Sequence, residues 1–216
     1  MTIITDHVAT YLQELSAGRD PVMIEMEELA ERENVPIVPW ETGRLLAVLV
    51  RATGARRIVE VGTAIGYSTL HMARASQDTR IVTLERDPGR IAQARDFLAR
   101  GGVGDRVEVV EGDARASLEE LDGPFDLAFV DATKTEYRDY IRLLEGKLAD
   151  RALLAVDNVL MSGEVALPAG SGETFWADEA LDSARALNAE LVGGGGWLGV
   201  VLSVGDGVAL ATRVET

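Results

Sequence analysis

Apolar residues along the chain recur with two periods, helical in the first quarter and strand-like in short bursts thereafter. Val8, Tyr11, Leu12 and Leu15 sit at helical spacing, which predicts a helix over 5–16. A second helix over 21–33 opens on Asp20 as N-cap with Pro21 at its first position. NVPIVP (34–39) is an extended crossing segment, because its prolines forbid a helix. Glu41 to Thr53 forms a third helix with Leu45, Leu46, Leu49 and Val50 inward. Short apolar runs then alternate with helical segments. Strands are predicted over 57–61, 80–85, 106–112, 125–131 and 152–158, and helices over 68–75, 88–100, 114–121, 136–148 and 177–190. The chain finishes differently: WLGVVLSV and VALATRV are two β runs joined by Gly205-Asp206-Gly207, a hairpin signal.

Strand–helix alternation implies a doubly wound α/β sheet with right-handed crossovers. The expected fold is Rossmann-like: a seven-stranded, mostly parallel sheet with a C-terminal antiparallel hairpin and extra N-terminal helices. A single domain over 1–216 is expected, with 1–55 as a helical cap.

Composition narrows the function classes. Lys plus Arg number 21 and Asp plus Glu 36, a net charge of −15. That balance repels nucleic acid unless a basic patch is segregated from it. The absence of cysteine removes disulfides, thiolate metal sites and cysteine nucleophiles. The opening residues lack a basic stretch followed by an apolar one, and no apolar run reaches membrane-spanning length. A cytoplasmic enzyme without a membrane partner is the expectation.

The first strand runs into Gly62-Thr-Ala-Ile-Gly66-Tyr67-Ser68. In the dinucleotide fingerprint the middle glycine admits a pyrophosphate. Here that position is Ala64, which argues for a cofactor without one. S-adenosylmethionine, a nucleoside with a charged amino-acid tail, fits. Gly62 permits close backbone approach, Glu60 can hold the ammonium directly or through water, and Ser68 at a helix N-terminus can take the carboxylate. Glu85 ends the second strand, where an acid accepts hydrogen bonds from ribose hydroxyls; it can equally cap a helix. Asp113 ends the third and can receive an adenine amino group, or serve as a plain N-cap.

Two later strands also end in oxygen donors: DLAFV before Asp131, and ALLAV before Asp157-Asn158. If the strands are neighbours, two carboxylates and an amide oxygen suit a hard cation such as Mg²⁺. Taken singly these residues read as an N-cap or an Asx turn. Lys134, three residues past Asp131, can face the same mouth and act as a general base there; a lone lysine otherwise reads as a surface residue.

VEVGTAIGYSTLHMA, TLERD, GDA, FVDATKTEY, VDNVLMSGEV and VGDGVAL together resemble the metal-dependent catechol/caffeoyl-CoA class of S-adenosylmethionine O-methyltransferases. The resemblance runs from about Val35 to Arg213. It implies Asp131, Asp157 and Asn158 as ligands of Mg²⁺ or another divalent ion, and Lys134 as general base. It places the cofactor against Val38, Glu60, Gly62, Ser68, Glu85 and Ala114, with Asp131 close by. It also implies a homodimer whose N-terminal helices shape the entrance for a small aromatic acceptor. The segment 162–178 falls where relatives bind that acceptor, and Trp40 and Trp176 are candidates for walls of an aromatic pocket.

Three other readings compete. One branch of the same class methylates 5-hydroxyuridine in tRNA, but 162–182 carries no Lys or Arg for phosphate contacts. A nucleotide-binding module without catalysis leaves Lys134 and the three oxygen donors surplus. A nicotinamide oxidoreductase is opposed by Ala64.

Overall fold

The computed structural model describes residues 6–15, 20–168, 174–194 and 196–214. Three helices come first: α1 (Asp6–Leu15), α2 (Pro21–Glu33) and α3 (Trp40–Thr53). α2 starts for the reason the sequence gives. The Asp20 carboxylate accepts the Met23 N–H at 3.0 Å, with Pro21 at the first helical position. Leu46 and Val50 of α3 are fully buried, and Leu45 and Leu49 are half-buried. On α1 the stripe faces out instead: Tyr11, Leu12 and Leu15 are all at least half exposed. Residues 5 and 16, the expected ends of that helix, lie outside the described residues.

The alternating part supplies β1 (Arg57–Val61), α4 (Tyr67–Ala75), β2 (Arg80–Glu85), α5 (Pro88–Arg100), β3 (Val107–Glu111), α6 (Ala114–Glu120), β4 (Phe125–Val130), α7 (Tyr137–Glu145), β5 (Leu148–Val156), α8 (Asp178–Gly193), β6 (Trp197–Leu202) and β7 (Val208–Arg213). They form one seven-stranded sheet in the order β3-β2-β1-β4-β5-β7-β6. β1 to β5 are mutually parallel, while β7 runs antiparallel to both β5 and β6. Both faces are covered, which is why the strands read as continuous apolar runs. Ile58, Ile81 and Leu127 pack toward α2–α5, and Val59, Val61, Ala128 and Val130 toward α6–α8.

Three boundaries differ from expectation by three residues or more, one of them the end of α8, which runs on to Gly193 instead of stopping at 190. β5 begins at Leu148, four residues early, because Asp150 and Arg151 interrupt its apolar pattern while a bulge carries its pairing with β4. α7 stops at Glu145, since Gly146 and Lys147 turn back, Lys147 N–H donating to Leu144 C=O at 2.7 Å. Among the described residues no helix is long and apolar enough to cross a membrane.

β1 has β2 on one side and β4 on the other, so the chain reverses its direction of winding between them. Open α/β sheets bind their ligands in the crevice outside the strand carboxyl ends at that switch.

Candidate active site

A cavity of about 400 Å³ opens at that switch point, lined from the ends of β1 to β5. Gly62, Ser68, Glu85, Asp113, Ala114 and Val38 all line it, and so do Asp131, Lys134, Asp157 and Asn158. Of the predicted cofactor and metal residues Glu60 alone stands behind the wall. It is fully buried and accepts hydrogen bonds from Ser68 Oγ at 2.5 Å and from Thr69 Oγ1. Burial pushes its carboxyl up to about 7, against those hydroxyl donors. Ser68 thus stands between Glu60 and the cavity.

The turn after β1 is built by backbone constraints. Gly62 has φ +101°, and a Cβ there would stand 2.0 Å from the Asp131 carbonyl oxygen. The glycine thus admits the end of β4 beside the end of β1. Ala64 is left-handed at φ 47°, held by its N–H donating to Glu85 Oε2 at 2.8 Å. The other Glu85 oxygen accepts from the Arg86 and Asp87 N–H groups at 2.9 and 3.0 Å. Glu85 is therefore both the acid at the end of β2 and the clamp on the β1 turn. Asp113 caps α6, accepting the Arg115 N–H at 3.0 Å. Its hydrogen bond to the Arg115 side chain, with those backbone donors, holds its carboxyl below the usual range.

Asp131 and Asp157 continue the β-ladder, their N–H groups donating to Val61 C=O at 2.9 Å and Val130 C=O at 3.0 Å. Both carboxylates are thereby delivered to one mouth. Asp157 is almost fully buried, and its Oδ1 has no hydrogen-bond partner. Burial, then the charge of Asp131, drives its carboxyl well above the usual carboxylate range. The Lys134 ammonium donates to Asp131 Oδ1 at 2.7 Å and to Asn158 Oδ1 at 2.5 Å, and lies 5.3 Å from the Tyr137 ring centre. Among the described residues no three His, Cys, Asp or Glu side chains cluster for a metal; this set depends on the amide of Asn158.

Asp206, which the sequence offers as turn chemistry and within VGDGVAL but not as a site residue, belongs here. In the β6–β7 hairpin, it lies 3.5 Å from Asn158 Nδ2, accepts the Ser162 N–H, and through its carbonyl accepts the Leu160 N–H at 3.0 Å. Asn158, Met161 and Ser162 all have positive φ, so the hairpin braces a strained segment beside the proposed ligands. Its only signal in the sequence is an acid between two glycines. Trp176 lines the cavity, whereas Trp40 stays outside the lining with the Arg44 guanidinium 5.6 Å above its ring.

The sheet order, the reversed β7 and the cavity at the β1 turn define a Rossmann-like methyltransferase. The chain belongs to the O-methyltransferase family, whose model matches residues 13–214. It is 34% identical over 207 residues to a catechol O-methyltransferase of Mycobacterium tuberculosis, covering 91% of this chain and 94% of that one. A caffeoyl-CoA O-methyltransferase of Zea mays is 30% identical, covering 98% and 84%. An O-methyltransferase of Streptomyces achromogenes involved in tomaymycin synthesis, solved with S-adenosylmethionine, superposes with a TM-score of 0.84 at 30% identity, covering 97% and 96%. The chain is thus an S-adenosylmethionine-dependent O-methyltransferase.

Proposed function

We propose that the enzyme is divalent-metal-dependent and methylates one hydroxyl of a catechol-like aromatic. The observation that carries this reading is Asp157 Oδ1, a buried oxygen without a partner, beside Asp131 and Asn158. Such an atom is costly unless a cation or a donor meets it. The Lys134 ammonium, already between Asp131 and Asn158, supports a positively charged occupant for this mouth. Asp131, Asp157 and Asn158 are oxygen donors of the kind that hold Mg²⁺; when bound, the ion supplies stabilisation of a hydroxyl in its anionic form.

Lys134 is the proposed general base, accepting the proton of the acceptor hydroxyl at Nζ. Gly62 and Ser68 bound the cofactor's amino-acid end, with Glu60 acting through Ser68; Glu85 takes the ribose, Asp113 and Ala114 the adenine, and Val38 closes the wall. These residues would hold the cofactor's methyl toward the acceptor oxygen, and such positioning would supply much of the rate. Relatives at 34% and 32% identity are catechol O-methyltransferases, which supports the acceptor class.

The test is methyl transfer from S-adenosylmethionine to catechol and to undermodified tRNA, each with and without EDTA. Methylation of catechol that stops with EDTA and returns with Mg²⁺ is expected. Turnover indifferent to EDTA, or restricted to tRNA, rejects the reading.

A homodimer is proposed as well. The edge strand β6 presents Leu198 at 68% and Val200 at 48% exposure, and Val48 of α3 is 58% exposed. Edges and apolar patches of this kind are covered in most native proteins. Light scattering giving the mass of one chain would reject it.

A further inference from the structure

The segment after Asn158 folds into a 3-10 turn, Met161–Ala166, and returns to the cavity at Trp176. Between the two stands one carboxylate. Glu164 Oε1 accepts the Phe175 N–H at 3.0 Å and Glu164 Oε2 accepts the Trp176 N–H at 3.1 Å. Each oxygen thus takes one of two consecutive backbone donors, and charge-assisted bonds of this kind are about twice as strong as neutral ones. The rest of Trp176 is fixed too. Its carbonyl accepts from Thr174 Oγ1 at 2.8 Å, and its indole N–H donates to Ser162 Oγ at 3.4 Å. Its ring packs on a small cluster of Met161, Ala180, Leu181 and Ala184, apart from the main cores.

Glu164 is itself anchored from the far side. The Arg185 guanidinium donates to the carbonyls of Glu164, Val165 and Leu167 at 3.3, 3.0 and 2.8 Å. A side chain on α8 thereby fixes the turn, and the turn fixes the tryptophan. The cluster beneath Trp176 is small, so apolar burial alone holds it weakly; the two charge-assisted Glu164 bonds add to the single neutral bonds from Thr174 and to Ser162.

We infer that Glu164 is a positioning residue for acceptor choice: it holds Trp176 as a rigid wall of the acceptor pocket, so that the pocket takes a narrow, flat vicinal diol in preference to a broad one. This rests on the catechol reading above. It assigns to the anchoring carboxylate a role that the wall alone would not require.

Two measurements on the full chain test it. Hydrogen–deuterium exchange of the segment around Phe175 and Trp176 does not need an acceptor. In Glu164→Ala it should quicken at least about tenfold, with the peptide over β4 unchanged; in Glu164→Gln, which keeps one acceptor oxygen, the effect should be intermediate. The KM ratio between 4-phenylcatechol and catechol is the second. It should fall about fivefold or more in Glu164→Ala, as in Trp176→Ala, with S-adenosylhomocysteine affinity unchanged. Unaltered exchange in Glu164→Ala overturns the clamp. Faster exchange with an unaltered KM ratio overturns its role in selection. If the unmodified enzyme turns over neither diol, the acceptor reading above fails together with the selection role, and the exchange result still decides the clamp.

Discussion

Lys134 reaches across 24 positions of sequence to place its ammonium 2.5 Å from the amide oxygen of Asn158, while holding Asp131 with the same nitrogen. The lysine therefore stands among the proposed oxygen donors, and its ammonium must first give up a proton before Nζ can accept one there.

Replacing Lys134 by Met should separate base from ligand. Loss of a general base costs about 10²–10⁴ in kcat. Removal of a competing ammonium should leave Mg²⁺ affinity equal or tighter. Kinetics beside calorimetric titration of Mg²⁺ check both, and weakened metal binding would show that Lys134 only organises the site.

Asp157→Ala removes the buried carboxylate. Metal-dependent turnover should disappear, along with the rise in Tm that saturating Mg²⁺ gives to the unmodified chain. S-adenosylhomocysteine affinity should survive better than in Asp131→Ala, since Asp131 is also proposed to lie close to the cofactor. Full activity in either variant refutes the ligand assignment.

Asp206→Ala should act through Asn158. With Ser162 and Asn158 losing their brace, the left-handed segment should relax and leave the amide held by Lys134 alone. Groups that orient a metal ligand are worth about 10–100-fold in affinity or activity. Mg²⁺ titration should show that loss with cofactor affinity within about twofold.

His71 gives a pH dependence of stability away from the proposed metal. It is 4% exposed, and burial, then Arg44 and Arg74, push its imidazole down to about 4 from an ordinary 6.5. The unfolded chain then binds the proton more readily than the folded one. The stability contribution is present above pH 6.5 and is lost as pH falls toward 4. By pH 5 the loss amounts to about 2 kcal/mol. Urea unfolding at pH 7.5 and 5, compared between the unmodified chain and His71→Gln, isolates it; equal pH slopes would contradict the burial argument.

Gly62→Ala should be destructive despite adding one methyl group. The Cβ would meet the Asp131 carbonyl at 2.0 Å, at a φ of +101° that side chains rarely adopt. A loss of about 2 kcal/mol or more is expected in thermal or urea unfolding. Gly146→Ala, where nothing lies within 4 Å of the added carbon, is the control.

The sequence by itself determined the alternation of elements, the winding of the sheet and the residues at each strand end. Apolar periodicity encodes burial, strand–helix alternation implies parallel strands covered on both faces, and glycines and acids stand where those strands stop. Hence Asp131, Asp157 and Asn158 were legible as one set. Tertiary structure decided what each of them touches. It set Glu60 behind Ser68, gave Glu85 a second task at Ala64, and brought the hairpin residue Asp206 to Asn158 from 48 positions away. It also left the apolar stripe of α1 facing outward. Such pairings depend on sheet order, above all on β7 entering between β5 and β6, and local pattern carries no record of which strand a hairpin will choose as its neighbour.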